Sequence, residues 1–141
     1  MPFTYYSAMP ELLVPISPGE LIDKITILEI KSQRMTDATK LANVRTELGM
    51  LMETWKASAY ASTDIGPEWQ GLRDVNGQLW DIEDRIRDKE RDGRFDAEFV
   101  ELARAVYVTN DERAAIKKKI NTRLGSTLVE EKSYADYKRR P

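Results

Sequence analysis

Apolar residues recur at spacings of three and four along nearly the whole chain, and this 3.6-residue period is what most restricts its fold. Between residues 17 and 34, Leu21, Ile25 and Leu28 form one stripe, and Ile22, Ile27 and Ile30 widen it beyond a two-partner seam. A helix so broadly apolar is expected at the centre of the molecule. From about Asp37 a second stripe runs through Leu41, Val44, Leu48, Leu51 and Trp55, and from about Pro67 a third runs through Leu72, Val75, Leu79, Ile82 and Ile86. Both resemble the packing pattern of coiled coils and are long enough to predict self-association. A fourth, Phe95, Phe99, Leu102 and Val106, either stops for a fifth helix capped by Thr109 and Glu112 or continues through Thr109, Arg113, Ile116 and Ile120 to Leu124. With no Gly or Pro between 94 and 124, one long helix is the preferred reading.

The boundaries carry their own chemistry. Ser17 can accept the free N–H groups of a first turn, Pro18 suits the first helical position, and Glu20 stands where a capping box would close. Met35, Thr36 and Asp37 leave room only for a tight αα-hairpin, residues 58–66 form a loop, and Gly93 and Gly125 end helices. The expectation is an all-α protein of antiparallel hairpins, a four-helix or five-helix bundle that forms oligomers. It is one domain over 1–141, with an irregular arm at 1–16, a bundle at 17–124 and an irregular tail at 125–141. A chain of 141 residues buries roughly 68–70% of its unfolded surface, enough for a core.

The stretches SPGELIDKITILEIK at 17–31, LWDIEDRIRDKE at 79–90 and TNDERAAIK at 109–117 resemble a bacterial and phage family of small helical proteins known only as a domain of unknown function. The resemblance covers most of residues 16–134. It implies a loose link to surface-sugar biology, since members often lie near or are fused to glycosyltransferases. It supplies no catalytic residue to carry over.

Composition narrows the chemistry. The chain has no cysteine and no histidine, which removes disulfides, thiolate nucleophiles, sulfur-bound zinc and the usual neutral-pH proton shuttle. No run of 18 apolar residues exists, and the N-terminus lacks the basic and apolar regions of a signal peptide, so a cytoplasmic protein without a membrane partner is expected. At 33% charged residues, well-solvated helix faces are expected. Residues 71–112 hold 7 basic and 12 acidic side chains, whereas residues 113–141 hold 9 basic and 3 acidic. The two blocks are complementary, and the basic end is expected to lie against acidic helix three, within one chain or across a dimer. Lys117, Lys118, Lys119, Arg123, Lys138, Arg139 and Arg140 would be the contacts of a nucleic-acid surface, but the chain is acidic overall, with a pI near 5.3, and carries no recognition motif.

Polar residues on apolar stripes are the remaining candidates. An arginine at the seam position of Arg113 needs a carboxylate or a bound anion, because a buried unpaired charge is costly. The structural reading, preferred at this point, is an ion-pair network in which Arg113 or Arg45 meets Asp23, Glu83 or Asp84 and fixes register. The functional reading is an anion pocket of Lys24, Arg45, Arg113 and Lys117, with Asn110 orienting a phosphate or carboxylate. Carboxylates alone offer a third arrangement, since Asp81 and Asp84 with Glu98 and Glu101 have the spacing by which all-helical nucleotide pyrophosphohydrolases hold Mg. Interleaved Arg85, Arg87, Lys89 and Arg91 point instead to a solvated, ion-paired face. Trp55, Trp69 and Trp80 are expected as core or interface anchors, and Met35, Met50 and Met52 as gap fillers. The function expected is binding without catalysis or a cofactor: an adaptor acting through a helical interface with itself or a protein partner, with an anion-binding protein and a Mg-dependent nucleotide hydrolase as alternatives.

Overall fold

The structure, a computed structural model, describes residues 11–139, so that the first ten residues of the expected N-terminal arm and Arg140 lie outside the described residues. Four helices follow the predicted stripes: α1 (Pro18–Arg34), α2 (Ala38–Ala57), α3 (Gly66–Arg91) and α4 (Ala97–Leu124). A single 3-10 turn, Ala59–Ser62, occupies the loop between α2 and α3, and among the described residues there is no strand. The protein is an all-α helical bundle. Residues 94–124 contain one helix and not two.

The caps explain the boundaries. The Glu20 N–H donates to Ser17 Oγ (3.2 Å), Lys40 N–H to Asp37 Oδ1 (2.9 Å) and Phe99 N–H to Asp96 Oδ1 (3.1 Å). Only half of the expected capping box forms at Ser17, because the Glu20 carboxylate turns to lysine side chains. Gly93 and Gly125, at φ +64° and +68°, supply the left-handed residues on which α3 and α4 end.

Helix α1 is central and packs on each of the other three, while α3 and α4 pair along their lengths and α2 lies chiefly on α1. The core gathers Leu21, Ile22 and Ile25 of α1, Trp55 of α2, Leu72 of α3 and Ile120 of α4, with Ile65 from the loop. Trp55 meets Trp69 edge to face at 5.8 Å, so two of the three tryptophans anchor this end. The α2 stripe is used within the chain, with Val44 and Trp55 buried and Leu41, Leu48 and Leu51 half-buried.

Burial falls away toward the other end. Helix α1 ends at Arg34, whose guanidinium pairs with Asp81 at 2.6 Å and covers the Trp80 ring at 5.7 Å. At 1.5 Å per residue, α3 is about 39 Å long and α1 about 26 Å. The distal halves of α3 and α4 therefore extend past α1 and pack mainly on one another. There Lys89 bridges Asp96 (3.0 Å) and Glu98 (2.9 Å), and Phe95 meets Phe99 at 5.2 Å.

The charge blocks are complementary in a different way from the one predicted. The basic end of α4 meets acids at the starts of helices: Lys117 pairs with Glu20 of α1, and Arg123 with the buried Glu68 of α3. The acids of the run 81–90 instead find partners on their own helix and at Arg34, while its bases Arg85 and Lys89 meet the acids at the start of α4.

Candidate functional site

Two polar regions lie where α1, α3 and α4 meet, and they differ in how completely their charges are answered. The first is closed. Near the start of α1, the Gly19 N–H donates to Asn121 Oδ1 at 2.7 Å, and a Cβ on Gly19 would stand only 2.5 Å from the Lys117 carbonyl oxygen. Only glycine permits this approach of α1 to α4. It seats the buried Lys117 ammonium against Glu20 Oε2 (2.6 Å), Asp23 Oδ2 (4.0 Å) and Glu130 Oε1 of the tail (3.0 Å). Burial pushes the Lys117 ammonium toward losing its proton, but hydrogen bonds to Glu20 and Glu130 and the charge of Asp23 outweigh it and raise the pKa above the ordinary lysine value. Burial likewise pushes the Glu20 carboxyl up, while Lys117 and Lys24 hold it below the usual range.

The second region is open. A groove of about 420 Å³ has Ile27 of α1 on one side, Asn76, Leu79, Trp80, Glu83 and Asp84 of α3 on another, and Val106, Asn110 and Arg113 of α4 on the third. Arg113 is half-buried in it and forms no ion pair within 4.0 Å among the described residues. Glu83, on the facing wall, is taken by Arg87 one turn along α3. The predicted network of Arg113 with Asp23, Glu83 and Asp84 is therefore not formed. Asp23 instead accepts from Asn76 Nδ2 at 2.9 Å and faces Lys117. The register between α1 and α4 puts Lys117, not Arg113, over the acids of α1.

Of the five residues expected to hold an anion, only Asn110 and Arg113 line the groove. Lys117 belongs to the closed cluster, Lys24 sits on the solvent side of α1 beside Glu20 (3.5 Å), and Arg45 is exposed on α2, the helix that packs chiefly on α1. The carboxylates proposed for Mg are also separated: Asp81 is paired with Arg34, and Glu98 with Lys89 and Arg85. Among the described residues no group of three or more acids is placed to hold a metal ion.

Asn76, Thr26, Asn121 and Glu68 were not singled out by sequence reasoning, although all four are buried. The signal was present for Asn76, which follows Leu72 by four residues and precedes Trp80 by four on the apolar face of α3.

A comparison with protein families decides the affiliation of this architecture: residues 12–141 match a family of unknown function, DUF6165. The chain belongs to that family. No curated protein and no solved structure matches it. Membership of DUF6165 covers α1 to α4 and the tail, and so includes both polar regions, but it assigns no role to either. Among the described residues no helix is long and apolar enough to cross a membrane.

Proposed function

We propose that this protein is a non-catalytic binding protein that takes a small anionic molecule in the groove between α1, α3 and α4, with Arg113 as the charge that holds it. The observation that carries this reading is that Arg113, half-buried, forms no ion pair among the described residues and lines the groove together with Asn110. A fork of N–H donors in a partly dry groove suits a carboxylate or phosphate, which it can meet with two parallel hydrogen bonds. Leu79, Val106 and Ile27 give the site apolar walls, and the Trp80 ring is steadied by Arg34. The described residues lining the groove include no hydroxyl, thiol or imidazole, and of their two carboxylates, Glu83 and Asp84, the first is held by Arg87, which favours binding over turnover. A cytoplasmic setting in bacteria or phage, and service to sugar-transfer enzymes, belong to this proposal as expectations.

Thermal unfolding over a panel of carboxylates, sugar phosphates and nucleotides tests it. A ligand at a hundredfold excess over Kd adds roughly 2.7 kcal/mol, and Arg113→Ala is expected to abolish that gain. Stabilisation that persists in Arg113→Ala would place the ligand elsewhere.

A second reading, an adaptor acting through a helical interface, draws on the distal α3–α4 hairpin. There Phe95, Val100, Tyr107 and Val108 leave about a third or more of their surface in solvent. A homodimer through this arm would double the mass measured by light scattering, and a monomer at tens of micromolar would remove that version of the reading.

A further inference from the structure

We infer that Asn76 determines which anions the groove accepts, and that the ligand is a small zwitterion whose protonated amine meets the Asn76 amide oxygen while its anionic group meets Arg113. The inference rests on the reading of the groove as a site for an anion at Arg113, and it adds a second, independent requirement.

The argument is one of hydrogen-bond polarity. The Thr26 hydroxyl donates to the Asp23 carbonyl oxygen at 2.8 Å. A hydroxyl has one hydrogen, so toward Asn76 the Thr26 oxygen can only accept. The Asp23 carboxylate, facing Lys117, is an acceptor as well. Asn76 stands 2.9 Å from Asp23 Oδ1 and 3.0 Å from Thr26 Oγ1. Two acceptors at these distances require the NH₂ end of the amide between them, and the reversed rotamer would set oxygen against oxygen twice. Both amide hydrogens are thereby used inside the protein.

The amide oxygen is left as an acceptor without a protein donor among the described residues and keeps contact with solvent, on a residue only 5% exposed that lines the groove. An acceptor of this kind selects a ligand that brings a donor, since a ligand without one would displace its water and leave it unpaired. The same wall carries the Glu83 and Asp84 carboxylates. A neutral hydroxyl would satisfy the amide oxygen alone, whereas an ammonium has three hydrogens and a charge that the Asp84 carboxylate, without an ion pair among the described residues, also favours. The groove thus presents a cation on α4 and acceptors on α3, complementary to a molecule bearing both signs.

Matched ligands on the unaltered protein provide the test. Glycine, β-alanine and γ-aminobutyrate are titrated against acetate, propionate and butyrate, with glycolate as the hydroxyl control, while the NMR signals of labelled side-chain amides and guanidinium groups are followed. At the chain length that spans the groove, the amino acid should bind about tenfold or more tightly than its unsubstituted partner. The Asn76 NH₂ signals should be slow to exchange before any ligand is added. Asn76→Leu should abolish the preference for the amine while leaving anion binding at Arg113; should that variant fail to fold, the matched series on the parent still decides. Amino and unsubstituted acids binding equally, or glycolate matching glycine, would overturn the inference and leave the anion site intact. Binding of neither class, with no response of the Arg113 signals to any anion, would overturn both.

Discussion

Lys117 and Arg113 stand one turn apart on the same face of α4, yet one is enclosed and the other is left facing a groove. At Lys117 the N-terminus of α1 comes so near that Gly19 lies against the α4 backbone, and three carboxylates gather round the ammonium. Arg113 instead shares a groove with Ile27 and has no such company. The difference teaches that position along the helix, not residue type, decides which of two neighbouring cations is structural. The closed cluster fixes how α1 and α4 approach, and the groove lies one turn away along α4.

The comparison can be broken most forcefully at its closed end. Lys117→Ala strands Glu20 and Asp23 and should destabilise the fold by about 3 kcal/mol, at the low end of the range for buried pairs because Glu20 and Glu130 keep partial contact with water. Urea denaturation measures it, and a change under about 1 kcal/mol would mean the cluster is not structural. Gly19→Ala drives a methyl group into the Lys117 carbonyl and should cost about 1–3 kcal/mol by the same assay, since backbone and not a flexible side-chain end is in the way. Ser17→Ala removes the cap of α1 and should cost about 1 kcal/mol.

Acid sharpens the same contrast. The Glu20 carboxyl is held below its ordinary pKa of 4.5 in the fold, so its contribution is present above that value and is lost as pH falls through the lower folded one. Lys117 is raised above 10.5, so its contribution is present below 10.5 and is lost as pH rises through the higher folded value. Stability followed from pH 6 down to pH 3 should therefore fall less steeply in Lys117→Ala than in the parent; equal slopes would mean that Lys117 does not hold Glu20 ionised.

Local features of this fold were legible because their causes are local. Ser17, Asp37, Gly93 and Gly125 mark ends through hydrogen bonds and φ angles confined to a few residues, and the stripe from Phe99 to Leu124 needs no partner to be recognised as helical. The central place of α1 followed from the breadth of its apolar surface. Which residues meet across helices was not legible, because register is set by contacts between segments far apart in sequence. Seam position marked Arg113 as needing a partner, but nothing near it in sequence reveals that α1 offers its acids one turn further along, to Lys117. Gly19 drew no reading from the sequence, because its role lies in the approach to residues 117 and 121. The spacing of Asn76 from Leu72 and Trp80 marked it as inward-facing, but its partners Thr26 and Asp23 lie on another helix and were not legible.

Arg113→Ala without ligand carries the smallest expected effect and is the most direct test of the distinction between the two regions. Removing a structural, paired arginine from a buried network costs about 3–5 kcal/mol, whereas removing one that faces a groove leaves stability within about 0.5 kcal/mol of the parent. The account predicts the second result: a urea midpoint for Arg113→Ala that matches the parent, beside a clear loss for Lys117→Ala under the same conditions. A loss of about 3 kcal/mol or more in Arg113→Ala would contradict it and make Arg113 part of the internal framework.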